Sequence, residues 1–283
     1  MSILVSIVTP CYNAGTTIVS TIESVVNQTY TNWEMLVVDD CSTDNSADVI
    51  KEYASKDFRI KYLRTDKPSG SPALPRNIGI ENALGKYIAF LDADDVWLPD
   101  KLQLQVEFLE MNGYDLVYSF YEKINWDGVR NGRIVQTRKT SVYKSLLKSN
   151  AIPCLTSVVK HEAVGETRFK QIPQEDFCFW LDILKKGYIA HNLCKVTALY
   201  REAKTSRSAN KYEMFKGYWN VIRKYQHIKL FSACYYMLTY TIFGFIKYLN
   251  NAQLRNKYEN HIDRRFRLCR DPPDRFIASG RQV

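Results

Sequence analysis

The chain has 283 residues, of which 46% are hydrophobic, so it can bury the core of one large domain and is not a disordered protein. Its 7 cysteines are an odd number without a Cys-x-x-Cys pair, which argues against a disulfide framework and a zinc site. The net charge of +9 is concentrated in residues 201–283, where 17 Lys and Arg face 6 Asp and Glu, and this asymmetry predicts contact with an anionic surface.

The N-terminal half alternates between two kinds of segment. Short apolar runs predict four strands, near residues 3–8, 35–38, 59–63 and 87–91. Amphipathic or capped segments predict three helices, near residues 16–28, 42–54 and 76–84. Strands that are apolar along their whole length are typical of a sheet covered on both faces. The pattern therefore predicts an α/β fold with a mostly parallel central sheet flanked by helices.

The pattern of predicted strands and helices changes after residue 115. We predict further strands and helices, with the strands near residues 115–125, 155–160 and 188–200, the helices near 141–149 and 176–186, and a turn over 127–133. From about residue 210 the sequence is helical, aromatic and basic. Residues 1–6 are strand-like and carry no basic leader, so we expect no signal peptide and a reducing, cytoplasmic location.

Polar side chains follow three of the predicted strands at the point where each strand ends. They are Thr9, Tyr12, Asn13, Asp39, Asp40, Asp92, Asp94 and Asp95. In an open α/β sheet this edge is where ligands bind. The carboxylates within residues 92–95 repel one another, so they either hold a divalent cation or cap the helix that follows. For a lone Asp-x-Asp the second explanation is favoured, because short acidic motifs are common.

Five segments, taken together, resemble the inverting family 2 glycosyltransferases. They are residues 5–13, 24–30, 37–44, 76–79 and 83–95, and they occur in the order and at the spacing of that family. The likeness is thinner after residue 115 but persists at residues 174–177 and 200–201. The resemblance implies a GT-A fold and an enzyme that transfers a sugar from a nucleotide diphosphate donor.

The resemblance also implies which residues bind the donor. Thr9, Tyr12 and Asp40 would hold the base and ribose of a UDP-sugar, and Asp40 would accept a ring N–H. Arg76 would bind the diphosphate, unless it forms only a surface ion pair. Arg201 matches a position in a loop that closes over the donor phosphates.

A cation and a base complete the implied site. Asp92 and Asp94 would hold Mn²⁺ or Mg²⁺, with Asp92 alternatively contacting the ribose, and Asp95 would support the following helix. Asp176 would take the proton of the acceptor hydroxyl, although an acid at this place could instead interact with a helix N-terminus. Near the closing loop, Lys204 or Arg207 would contact phosphate directly.

The C-terminal region suggests a membrane surface as partner. Residues 230–246 form an uncharged run of 17, which is short for a span, and basic residues follow it. We expect association with a membrane surface through residues 229–270, with packing on the domain and a true span as alternatives, and no nucleic-acid partner.

These inferences divide the chain into a catalytic domain over residues 1–209 and a helical, membrane-associating extension over 210–283. The catalytic domain would consist of a nucleotide-binding half, 1–114, and an acceptor half, 115–209. The expected function is transfer of one sugar from a UDP-sugar to a saccharide or lipid-linked saccharide, in bacterial surface polysaccharide synthesis at the inner face of the cell membrane. The alternatives are a nucleotidyltransferase and a non-catalytic module that binds sugar nucleotides or membranes.

Overall fold

Four apolar segments of the N-terminal half form a parallel sheet in the computed structural model, which describes residues 3–202 and 211–242. The strands are β1 (Val5–Cys11), β2 (Trp33–Asp39), β3 (Ile60–Arg64) and β4 (Tyr87–Phe90). They lie in the order β3-β2-β1-β4 and are connected by α1 (Ile18–Val26), α2 (Ser46–Lys56) and α3 (Ala73–Glu81). This arrangement brings the carboxyl ends of β1, β2 and β4 to one edge of the sheet.

Six further strands extend the sheet beyond β4, making ten strands in the part of the chain that the structure describes. They are β5 (Val96–Trp97), β6 (Leu116–Ile124), β7 (Arg130–Val135), β8 (Thr140–Ser141), β9 (Val158–Lys160) and β10 (Ala190–Arg201). The order continues from β4 as β9-β6-β10-β5, with β7 paired to β6 and β8 paired to β10. Strand β9 is antiparallel to both of its neighbours, so the α/β sheet is parallel in its first half and mixed in its second.

Helices cover both faces of this sheet. The remaining ones are α4 (Lys101–Asn112), α5 (Tyr143–Leu146), α6 (His161–Val164), α7 (Glu175–Lys185), α8 (Lys211–Asn220) with a π-helical turn at Val221–Tyr225, and α9 over residues 230–242. One core lies between the sheet and α1, α2 and α4, and the other between the sheet and α3, α7 and α8. The prediction of an α/β sheet flanked by helices, with helices at the C-terminal end, is confirmed.

The second core is aromatic at the point where β4 meets α7. The Phe90 ring lies 5.7 Å from that of Phe179 and 5.9 Å from that of Trp180, in edge-to-face geometry. All three side chains are buried, and each large apolar side chain removed from water stabilises the fold by about 1.5–3 kcal/mol. This packing fixes the start of α7 relative to the end of β4.

A close contact between α3 and β1 positions residues of α3 at the carboxyl edge of the sheet. A Cβ atom at Gly79 would lie 2.3 Å from Cγ1 of Val8, so only glycine lets the helix pack at this distance. Arg76 lies one turn earlier on the same helix and is buried as well. The contact between Gly79 and Val8 therefore fixes the position of Arg76 relative to the carboxyl edge of the sheet.

The turn predicted over residues 127–133 lies at 126–128, and the second part of the predicted range belongs to strand β7, which begins at Arg130. Only Val135 of this strand is buried, so β7 lacks the apolar alternation that would have identified it. It is held partly by a polar contact, since the Glu122 carboxylate of β6 accepts hydrogen bonds from Arg130 and from the backbone N–H of Gly132 at 3.1 Å.

Residues Met1–Tyr240 cluster as one compact unit, which includes α8, and Thr241–Val283 form a second. The predicted division after residue 209 stays a prediction. Within the described residues, no helix combines the length and apolarity that a membrane crossing requires.

Candidate active site

Two loops at the ends of β1 and β2 are joined by hydrogen bonds into one rim. Asn13 has a positive φ of 48°, and its side-chain oxygen accepts the N–H of Thr43 at 2.8 Å. The N–H of Gly15 donates to Asp44 Oδ2 at 2.9 Å. Tyr12 projects from this rim and is 56% exposed, which is high for an aromatic side chain. The sequence therefore places one exposed ring where a planar ligand could lie against it.

Asp40 organises a neighbouring loop. Its buried carboxylate accepts hydrogen bonds from the Thr65 hydroxyl at 3.0 Å, and from the Ser69 N–H at 2.9 Å and hydroxyl at 2.8 Å. The preceding Asp39 is fully buried and accepts from the Tyr62 hydroxyl at 3.0 Å, which is the strand-end support expected of it. Asp40 thus holds the segment that leads into α3, besides any contact with a nucleotide.

Thr9 is not exposed at this edge of the sheet. It is fully buried on β1, and its hydroxyl has no hydrogen-bond partner among the residues that the structure describes. Its contact with the nucleotide stays a prediction.

Arg76 connects two parts of the chain that are far apart in sequence. Its guanidinium donates from Nη2 to Asp92 Oδ1 at 2.6 Å and from Nη1 to Glu175 Oε1 at 3.0 Å. The Arg76 side chain is only 4% exposed, against 34% for Asp92 and 16% for Glu175. Its Nε has no partner among the described groups. The acidic segment after β4 and the first turn of α7 therefore meet at Arg76, in a region that we call the cleft.

The acidic segment itself carries excess negative charge. Burial, together with the charges of Asp94 and Asp92, raises the pKa of Asp95 well above its usual range. Asp95 is buried and accepts the backbone N–H of Arg201 at 2.9 Å, so it makes a structural contact with β10, whereas its predicted support of the following helix stays a prediction. The carboxylates of Asp92 and Asp94 are the part of this segment that a ligand could reach, since Asp92 is partly exposed.

Arg201 anchors the acidic segment from β10. Its Nε donates to the backbone oxygen of Asp94 at 2.8 Å and its Nη1 to that of Trp126 at 2.5 Å. A third, longer bond of 3.3 Å runs from Nη2 to the Ser20 hydroxyl. The predicted contact with donor phosphates stays a prediction, and Lys204 and Arg207 lie outside the described residues.

Asp176 lies in the first turn of α7, next to the Arg76 bridge. Its Oδ1 accepts the Phe177 N–H at 2.7 Å, and its Oδ2 faces the Asn150 amide at 3.4 Å. Burial and the charge of Glu175 raise the pKa of Asp176 to about 6, against the opposing effects of Arg76 and these hydrogen bonds. The carboxylate is thus ionised at neutral pH and still basic enough to take a proton.

Two features of this turn were not recognised from sequence. Gln174 adopts the left-handed conformation with φ of 62° directly before Glu175 and Asp176, the first residues of α7. Non-glycine residues in this conformation concentrate at functional sites, because the surroundings must hold them there. Asn150 approaches from a loop 26 residues away, and no local pattern marks it.

The predicted metal ligands are Asp92 and Asp94. Across residues 3–202 and 211–242, no group of three or more His, Cys, Asp or Glu side chains is arranged to hold an ion. Asp92 and Asp94 provide hard carboxylate oxygens, the ligand type that Mg²⁺ and Mn²⁺ prefer. Two carboxylates with remaining positions left for phosphate and water fit the way Mg²⁺ is bound at nucleotide sites.

This chain is similar to known proteins along most of its length. The model of the family described as "Glycosyl transferase family 2" matches residues 6–165. The putative teichuronic acid biosynthesis glycosyltransferase TuaG of Bacillus subtilis is 35% identical over 250 residues, which are 88% of this chain and 96% of that protein. The Escherichia coli UDP-Glc:alpha-D-GlcNAc-diphosphoundecaprenol beta-1,3-glucosyltransferase WfgD is 38% identical over 246 residues, 87% of this chain and 95% of that one.

Solved structures share the fold at low sequence identity. TarS 1–349 of S. aureus, in complex with UDP-GlcNAc, has a TM-score of 0.65 at 20% identity over 78% of this chain. The mannosyltransferase PcManGT of Pyrobaculum calidifontis, in complex with GDP-Man and Mn²⁺, has a TM-score of 0.61 at 18% identity over 80% of it. This chain covers 64% of each of those chains, and the likeness shows the GT-A fold alone.

We expect Arg76→Met to raise the pKa of Asp176 above about 6, because the guanidinium charge that opposes protonation of this carboxyl is removed. The Lys variant keeps a positive charge and should stay near the original value. A ¹³C NMR titration of protein labelled at the aspartate carboxyl carbons measures both. An unchanged pKa in folded Arg76→Met protein would show that the bridge does not act on the Asp176 carboxyl.

Proposed function

The chain belongs to glycosyl transferase family 2, and we propose that it transfers a single sugar from a UDP-sugar to a saccharide hydroxyl with inversion at the anomeric carbon. The observation that carries this proposal is the Arg76 bridge. It joins Asp92, in the segment expected to hold the donor diphosphate, to Glu175, the neighbour of the proposed base Asp176. Donor and acceptor chemistry would therefore occur in one cleft.

Asp176 is the proposed general base. As the acceptor oxygen bonds to the anomeric carbon, the Asp176 carboxylate takes the hydroxyl proton, and the bond from that carbon to the diphosphate breaks. Attack from the side opposite the leaving group produces inversion. The pKa of about 6 supports this role, since it leaves the carboxylate mostly ionised at pH 7 and matched to proton transfer near neutrality.

Tyr12 and Asp40 are the proposed contacts to uridine. The exposed ring of Tyr12 could lie against the base, and the Asp40 carboxylate could accept a ring N–H beside its bonds to Thr65 and Ser69. Support for UDP also comes from the names of similar proteins, because WfgD is named for UDP-Glc and the TarS structure contains UDP-GlcNAc.

Asp94 and Asp92 are the residues that would hold a divalent cation, Mn²⁺ or Mg²⁺. When bound, such a cation supplies positive charge to the departing diphosphate. The oxygen donor set and the excess negative charge around Asp95 support this assignment, as does the Mn²⁺ in the structure of PcManGT. Arg76 would then hold Asp92 in place from the protein side.

We also propose a lipid-linked acceptor and contact with a membrane surface. WfgD is named for an acceptor on a diphosphoundecaprenol carrier, and TuaG for teichuronic acid biosynthesis. On α9, Phe231, Tyr235 and Leu238 are 91%, 52% and 61% exposed, an apolar stripe with a period of three to four residues. The Lys148 ammonium lies 5.7 Å from the Tyr235 ring, so positive charge adjoins the stripe, as at a lipid headgroup boundary.

Replacing Asp176 with Asn should lower kcat by about 100- to 10,000-fold and leave donor binding intact, because only the proton acceptor is lost. In the unmodified protein, kcat/KM should fall about tenfold per pH unit below about pH 6, as the base becomes protonated. Release of UDP from a UDP-sugar in the presence of acceptor measures both. The exposed Glu166, replaced by Gln, is the matched control. Full turnover in the Asn variant would favour the non-catalytic module.

Removing the carboxylate of Asp94, a proposed metal ligand, should abolish the contribution of the cation to UDP binding. UDP with Mn²⁺ is expected to raise the melting temperature of the unmodified protein, since a ligand that binds only the folded state at 100 times its Kd stabilises it by about 2.7 kcal/mol. Chelation with EDTA, or Asp94→Asn, should abolish most of this shift. The exposed Asp127, replaced by Asn, should keep it. A shift of the same size in EDTA would contradict metal dependence.

The double variant Phe231→Ser and Leu238→Ser should bind vesicles of phosphatidylglycerol about tenfold more weakly, which corresponds to a loss of about 1.4 kcal/mol. Sedimentation with vesicles measures the effect, and vesicles of neutral phosphatidylcholine should bind less of the unmodified protein. Phe58, which is 89% exposed on another part of the surface, provides the control Phe58→Ser. Equal losses in control and test variants would contradict a specific lipid-facing stripe.

A further inference from the structure

The helices after residue 210 lie directly against the turn that carries the proposed base. The side-chain amide of Gln174 donates to the backbone oxygen of Met214 in α8 at 2.6 Å. A Cβ atom at Gly217 would lie 3.2 Å from Cβ of Pro173, so α8 approaches this turn as closely as its backbone allows. These residues lie beyond the segment that the family model matches, residues 6–165.

A column of aromatic rings continues from this turn into α9. Phe177, which follows the base, stacks on Tyr218 of α8 at 5.6 Å, and Tyr218 stacks on Tyr240 of α9 at 4.0 Å, each pair at 20° between planes. Tyr218 is fully buried, and its hydroxyl donates to the backbone oxygen of Leu147. The last ring, Tyr240, therefore packs on a side chain that is itself buried and hydrogen-bonded.

Tyr240 lies within electrostatic range of Asp176. Burial and the charge of the Asp176 carboxylate raise the pKa of the Tyr240 phenol, and the ring is only partly buried. The ring stacks on Tyr218 and packs against the core, and part of the side chain is exposed to solvent.

We propose that Tyr240 is a wall of the acceptor subsite, where its ring packs against the acceptor saccharide whose hydroxyl Asp176 deprotonates. The inference rests on the proposed function, because the base must hydrogen-bond the reacting hydroxyl and so defines where the acceptor lies. A partly buried aromatic ring near that position offers apolar surface for the C–H face of a sugar. The C-terminal helices thus contribute acceptor specificity to a donor site built by the N-terminal strands.

The test separates acceptor binding from donor binding in Tyr240→Ala and Tyr240→Phe. UDP-Glc and UDP-GlcNAc are used as donors with short-chain lipid diphosphates carrying GlcNAc, Glc or Gal as acceptors, and kinetics follow on the pair that the unmodified protein uses best. In the Ala variant the acceptor KM should rise at least tenfold, while the donor KM and the acceptor-independent hydrolysis of the donor stay within twofold. The Phe variant keeps the ring and should stay within twofold throughout.

Tyr236, one turn earlier on α9 and also packed on the core, provides the control Tyr236→Ala, which should lower the melting temperature without raising the acceptor KM. An unchanged acceptor KM in active Tyr240→Ala protein would overturn the inference and leave the proposed function standing. Equal rises in the acceptor KM for both Ala variants, or a loss in the Phe variant as large as in the Ala variant, would overturn it as well. Absence of donor binding and of turnover in the unmodified protein would overturn the proposed function and the inference together.

Discussion

A buried guanidinium between two carboxylates is the contact on which the cleft depends. Arg76 has lost almost all of its hydration, and only well-placed partners can offset that cost. Asp92 comes from the end of β4 and Glu175 from the start of α7, so the ion pairs tie the parallel half of the sheet to the mixed half. Because the pairs are charged, the same contact sets the electrostatic field in which Asp176 titrates.

The N-terminal half could be derived from its sequence because the forces there are local. Apolar runs of strand length, alternating with helical segments, leave few topologies, and the ends of the strands then meet at one edge. The prediction grouped Asp40 and Asp92 at that edge for this reason, although the sequence could not show that Asp40 would be occupied by Thr65 and Ser69. Hydrogen bonds of this kind depend on loop geometry, which no periodicity encodes.

The second half could be predicted only in part, since its important contacts are distant in sequence and involve backbone atoms. The contact of Arg201 with phosphates stays a prediction, and the sequence did not indicate that its guanidinium donates to the carbonyl groups of Asp94 and Trp126. Every residue has a backbone carbonyl oxygen. The sequence therefore does not indicate which of these oxygens will accept a hydrogen bond from an arginine before the fold is known. The same holds for the column from Phe177 through Tyr218 to Tyr240, whose first and last members are 63 residues apart along the chain.

The close contact between Gly79 and Val8 has a consequence for how this fold can vary. There is no spare volume between the helix and the strand, so the two positions share one fixed space. A larger residue on the helix could be accommodated only by a smaller one on the strand. The larger residue alone would push α3 outward, and the smaller residue alone would leave a cavity. We therefore expect the side-chain volumes at positions 8 and 79 to vary inversely among homologous chains, as a coupled pair rather than as two independent sites.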